Sequence, residues 1–127
     1  MMENVFGYAA PVWRRFVAPA GVGRLDGPDC RQVIVGSPAT AAQLAVSIRC
    51  VDGRILEARF QALGCPVTVA VGQWLTEVLT GQRWPPPTDG VATACRAALE
   101  IGADKAHCGL MAEDVVRAMA RLAEETS

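Results

Sequence analysis

Leu44–Ala62 reads LAVSIRCVDGRILEARFQA. Leu44, Val46, Ile48 and Cys50 alternate with smaller or polar residues, and Ala58, Phe60 and Ala62 alternate with Glu57, Arg59 and Gln61. Successive side chains of a strand point to opposite faces, so this period of two puts an apolar and a polar face on each run. Asp52-Gly53 between them is a strong hairpin signal, because the favoured two-residue turn needs positive φ at both central residues. A short β-branched run, Gln32–Val35, comes before the hairpin. Together these runs predict an α+β fold: a three-stranded antiparallel sheet with one polar face and helices packed on the other.

Helical periods flank the sheet. Val5, Tyr8, Val12 and Phe16 recur at three- and four-residue intervals, with Pro11 placed to start or kink a short helix. Pro19–Pro28, with three glycines, reads as a loop crossing to the first strand. After Gly64-Cys65-Pro66 the stripe Val67, Val71, Trp74, Leu75, Val78 and Leu79 predicts a helix with proline in its first turn and Gly81 as its C-terminal stop. Trp84-Pro85-Pro86-Pro87 reads as a stiff connector. Val91, Ala94, Cys95, Ala98 and Leu99 share one helical face, and a last helix is predicted from about Gly109 to Glu125.

The 127 residues amount to one domain, 1–127, with 51% hydrophobic and 20% charged residues. Twelve basic against 13 acidic side chains exclude an electrostatic nucleic-acid clamp. The longest uncharged stretches, Gln32–Ile48 and Phe60–Thr76, are interrupted by Gly, Pro, Ser, Thr and Gln, so no membrane span is expected. Glu3 and Asn4 stand where a secretory signal needs basic and then apolar residues, which predicts a soluble, cytoplasmic chain. Five cysteines without close CxxC pairs do not form a disulfide framework, and a reducing compartment leaves thiols free for metal or sulfur chemistry.

Cys65 stands before the Pro66 helix, and Cys108, beside the single histidine His107, stands before the Gly109 helix. Unpaired N–H groups and the positive end of a helix dipole favour a thiolate, the form that binds metals and exchanges sulfur. Cys65, His107 and Cys108 are therefore the candidate metal ligands. Lys105 is placed to hydrogen-bond a bound anion or sulfide, against the plainer reading of a solvated loop lysine. Cys50 and Cys95 fall on apolar faces and read as core filler, and Cys30 is left outside the site. Trp74 and Trp84 read as packing and connector residues, and Arg14, Arg15, Arg117 and Arg121 as solvated helix faces.

From about Tyr8 to the last helix the chain resembles the IscU/NifU-type iron-sulfur cluster scaffold proteins. The matching residues are Tyr8, Phe16, Pro19, Val22, Gly23, Gly36, Pro38, Ala58-Arg59-Phe60-Gln61, Gly64-Cys65, Thr76 with Gly81, and Lys105–Cys108 followed by Ala112-Glu113-Asp114. The resemblance implies cluster or iron binding at Cys65, His107 and Cys108, Cys108 as acceptor of persulfide sulfur, and a cysteine desulfurase as partner. The pattern breaks at Thr40 and Ala42, which stand where the family has a ligand cysteine and an aspartate. Neither a hydroxyl nor a methyl replaces a thiolate or carboxylate at iron. Ile101-Gly102-Ala103-Asp104-Lys105 keeps only the lysine of the family's chaperone-recognised segment, which counts against a chaperone interaction.

Three readings stay open at this point, none of them an enzyme. The first is a divergent scaffold or carrier of iron or a [2Fe-2S] cluster, its missing ligand supplied by a partner, a second subunit or glutathione. In the second the same residues hold zinc, which accepts Cys and His ligands. The third is a cluster-less regulator that docks on a desulfurase or another assembly factor.

Overall fold

A computed structural model of the chain describes residues 3–125. The element order is α1 (Ala10–Val17), β1 (Cys30–Ser37), β2 (Ala42–Val51), β3 (Arg54–Leu63), α2 (Pro66–Leu79), α3 (Val91–Leu99) and α4 (Ala106–Glu125), with short 3-10 turns at Pro38–Thr40 and Ala103–Lys105. The strands form one antiparallel sheet in the order β1-β2-β3. Asp52 and Gly53 turn the hairpin at φ of 52° and 74°, the two left-handed residues that the turn requires. A register shift between Arg49 and Cys50 lets Cys50 pair with Ile55.

Val33, Leu44, Val46, Ile48, Ala58 and Phe60 are buried on one face of the sheet, against α2 and α4. The helices thus cover a single face, as the alternation predicts. The other face carries the Arg49–Glu57–Arg59 ion pairs at 3.0 and 3.6 Å. It is not purely polar, since Ile34 and Leu63 lie exposed there. The Pro19–Pro28 loop is more than a crossing: Gly21 and Gly23 bond to both backbone groups of Phe60, and Leu25 N–H donates to Ser47 Oγ at 2.9 Å. Those contacts explain a buried serine on an otherwise open face. No helix among the described residues is long and apolar enough to cross a membrane.

Two expectations need correction. Arg15 is not on a solvated face; it is buried and forms an ion pair with Glu77 at 2.8 Å, joining α1 to α2. Gln73 extends the network, donating to Glu77 at 3.0 Å and accepting from Gly21 N–H at 2.7 Å. Further, α4 begins at Ala106 rather than near Gly109. Gly109 is inside the helix because α3 crosses there: a Cβ at that position would come within 2.9 Å of the Arg96 side chain and 3.2 Å of the Ala92 carbonyl. A glycine required by close packing looks, in sequence, like one required by a helix boundary.

The Arg15–Glu77 pair carries a pH prediction. Partial burial pushes the Glu77 carboxyl up, but hydrogen bonds from Arg15 and Gln73 and the charges of Arg15 and Arg14 outweigh it, and the net value lies below the ordinary 4.5. A carboxyl depressed in the folded state stabilises above its unfolded pKa and loses that contribution as pH falls through the folded value. With Glu77 side-chain exposure at 41%, solvent screening limits the effect to about 1 kcal/mol. Urea unfolding of the parent and Glu77→Gln should differ by that amount at neutral pH and converge on acidification below 4.5; equal midpoints at pH 7 would refute the role.

Candidate functional site

β1 ends where β2 begins, with Ser37 opposite Ala42, and β2 in turn sets Gln43 opposite Leu63 at the end of β3. The β1–β2 connection and the β3–α2 connection therefore lie at the same end of the sheet. At that end Gly64 has φ of 149°, and a Cβ there would lie 2.7 Å from Thr68 Oγ1. The chain can turn directly into α2 only because Gly64 has no side chain. Cys65 becomes the N-cap of α2 and Pro66 opens its first turn.

Three groups surround the Cys65 sulfur. Thr68 Oγ1 lies 3.7 Å from it, and Lys105 Nζ, from the 3-10 turn leading into α4, lies 3.9 Å away. The backbone N–H groups of Thr68 and Val67 face it too, although none makes a formal capping hydrogen bond. Partial burial pushes the Cys65 thiol up, but the Thr68 and Val67 amides, the Thr68 hydroxyl and the Lys105 ammonium together bring it below its ordinary value. Cys65 is thus a half-buried thiol with a preformed anion environment.

Cys108 is a different kind of thiol. It lies in the first turn of α4 rather than ahead of it, is 1% exposed, and neighbours both Cys65 and Thr68. Burial pushes it up to about 11, helped by the Cys65 charge and opposed by Thr68 and Lys105. Helix position alone suggests a stabilised thiolate here; desolvation reverses that result. Behind Cys108, Cys95 is fully buried, as expected of core filler, and burial pushes it up to about 12. Of the two thiols, Cys65 is the more accessible to solvent.

Of the four expected site residues, Cys65, Cys108 and Lys105 come together. His107 is exposed, because one residue along a helix is a rotation of about 100° and Cys108 takes the inward direction. Among the described residues no three His, Cys, Asp or Glu side chains gather closely enough to hold a metal ion. Thr40 is exposed, and its hydroxyl donates toward the Ser37 and Ala42 carbonyls at 2.9 and 3.3 Å, engaged with its own turn. The residue that sequence reasoning passes over is Thr68, 1% exposed between the two thiols. Its signal was the N-cap to N3 spacing from Cys65, the distance at which side chains meet across a first helical turn.

Beside the thiols, Lys105 forms part of the wall of a cleft of about 260 Å³ that includes Tyr8, Val12, Val67 and Ile101. A second groove, about 280 Å³ between Trp74, Val78, Pro86 and Val91, lies at the far end of α2 and carries none of these groups.

Comparison with known proteins agrees with this architecture. The chain is 29% identical over 117 residues to the iron-sulfur cluster assembly scaffold protein IscU of Azotobacter vinelandii, covering 90% of this chain and 91% of that one. It is 30% identical over 114 residues to the IscU of Escherichia coli K12, covering 87% and 89%. The crystal structure of the N-terminal part of a nitrogen-fixing NifU-like protein from Brucella abortus superposes with a TM-score of 0.72 over 93% of this chain and 94% of that one, at 16% identity, and so shares the fold. The family model for the NifU-like N terminal domain matches residues 7–124, and with the sheet, the helices on one face and the Cys65–Cys108 end now described, the chain belongs to that family.

Proposed function

We propose that this protein is a non-enzymatic carrier in iron-sulfur cluster assembly, taking up sulfur and iron at the Cys65–Cys108 end of the sheet. The observation that carries the reading is Cys65 at the α2 N-terminus, with Lys105 Nζ 3.9 Å from its sulfur and Cys108 alongside. Thiolates are the ligands iron-sulfur clusters use, and Cys65 is held ready to be one. The relatives named above are cluster assembly scaffolds, which supports the same process for this chain. A cysteine desulfurase is the sulfur donor in this reading, and the five cysteines, all free thiols, suit a reducing cytoplasm.

Two adjacent thiols are too few for a closed cluster site. His107 would have to turn inward, and a further ligand would come from glutathione, a partner or a second copy of this chain. Zinc at Cys65, His107 and Cys108 makes the same demand on His107. Anaerobic reconstitution with iron and sulfide separates these cases. The parent with glutathione, and the variant Thr40→Cys/Ala42→Asp without it, should each develop an iron-sulfur absorption band and retain iron through desalting. Retention of iron by neither would overturn the reading, and zinc at one equivalent in protein purified without chelator would favour the zinc-bound alternative.

A further inference from the structure

We propose that Cys65 and Cys108 act in sequence as a sulfur-accepting and a sulfide-releasing thiol, so that this chain converts the outer sulfur of a persulfide into free sulfide and ends as a Cys65–Cys108 disulfide. The inference rests on the sulfur-uptake part of the reading above and deepens it by assigning an order and an electron source.

The two thiols are unequal in access and share one neighbour. Cys65 is half-buried, at the helix end, with the Lys105 ammonium 3.9 Å from its sulfur. Cys108 is 1% exposed and neighbours both Cys65 and Thr68. A donor persulfide therefore meets Cys65. The Cys65 sulfur attacks the outer sulfur of the donor R–S–SH, the donor S–S bond breaks, and RS⁻ leaves with the proton lost by Cys65. The product is Cys65–S–SH, with the terminal sulfur beside Lys105.

Cys108 then stands on the protein side of the Cys65 sulfur. Attack by Cys108 on Cys65 Sγ breaks the new S–S bond and expels hydrosulfide, which carries off the proton of the buried Cys108 thiol. Overall, RSSH and two protein thiols give RSH, H₂S and one disulfide: the transferred sulfur is reduced and the two cysteines are oxidised. Thr68 is placed to hold both sulfurs through this exchange, as its hydroxyl contacts each of them. Thr40 adds no third thiol to compete, and its hydroxyl is directed to its own turn. A low-potential thiol in the same compartment would return the pair to the reduced state.

The test uses the reduced full-length protein, one equivalent of glutathione persulfide without oxygen, sulfide measured above the protein-free background, and intact-mass and peptide analysis. The parent should release close to one equivalent of sulfide, lose the mass of two hydrogens, and yield a single peptide pair joining Cys65 to Cys108. Cys108→Ser and Cys108→Ala should each keep one added sulfur on Cys65 and lose the sulfide release. Cys65→Ser should take up no sulfur. Unfolding curves of the variants establish that each is folded. Sulfide release undiminished in both Cys108 variants, or added sulfur resident on Cys108 of the parent, would overturn the assignment. The outcome is separable from that of iron reconstitution: sulfide release by a parent that never retains iron upholds this inference against the carrier reading, and iron retention without disulfide formation does the reverse.

Discussion

Cys65→Ser should abolish iron retention and sulfur uptake while leaving the unfolding midpoint at or slightly above that of the parent. The two effects separate because Cys65 is a half-exposed N-cap whose contact with the edge of the core a serine of similar size largely keeps. Serine is among the best N-cap residues, because its oxygen accepts from the free N–H groups of the first turn; relative to poor caps it is worth about 1 kcal/mol. The hydroxyl is not a thiolate, so every soft-ligand and sulfur-exchange property disappears. Cys108→Ser should show the opposite balance in stability, losing about 1–2 kcal/mol by placing a hydroxyl where a 1% exposed thiol sits. Reconstitution and urea titration of the two variants in parallel measure both quantities. Iron retained by Cys65→Ser at the parent's level would remove Cys65 from the site.

Gly72→Val should cost about 3 kcal/mol or more. Gly72 lies mid-way along α2 directly over the ring of Phe60, and a Cβ at Gly72 would overlap that ring rather than touch it. Phe60 is 1% exposed at the centre of β3, with both its backbone groups committed to Gly21 and Gly23, so it has little freedom to retreat. Overpacking of a dense core costs about 1–3 kcal/mol and occasionally more. Removing a helical glycine returns about 0.5–1 kcal/mol at most, so the steric cost wins. Against a total stability of about 5–15 kcal/mol this is a large fraction. Denaturant unfolding followed by tryptophan fluorescence reads the loss. Combining Gly72→Val with Phe60→Leu should recover part of it, because the two residues occupy one space. A stability equal to the parent's would mean that α2 does not rest on Phe60 as closely as described.

The residues of the candidate site were legible unequally. Cys65 could be found because its position depends on a local sequence of events: a strand ends, a glycine turns the chain, a proline opens a helix. Each step is written in Leu63-Gly64-Cys65-Pro66. Thr68 has only the three-residue spacing to announce it. The contrast between Cys65 and Cys108 was not legible, since both stand near helix N-termini in the sequence and only their burial differs. His107 illustrates the same limit. Its adjacency to Cys108 suggests a shared site, but helical rotation directs neighbours to different surroundings.

The amino-acid sequence alone determined the hairpin, the identity of the sheet's covered face and the placement of α2. These follow from alternation, from the conformational demands of Asp52-Gly53 and from a 3.6-residue apolar period, all properties of short stretches of chain. The tertiary structure decided which charged and reactive groups are buried. Arg15 became an interior ion-pair member because α1 packs on α2, Gly109 is a contact between helices rather than a helix start, and Cys108 is an interior thiol because the first turn of α4 packs it beside Cys65 and Thr68 at the start of α2. Desolvation and charge depend on everything that surrounds a group, and those surroundings include segments far away in sequence, such as Lys105 beside Cys65, at a separation of 40.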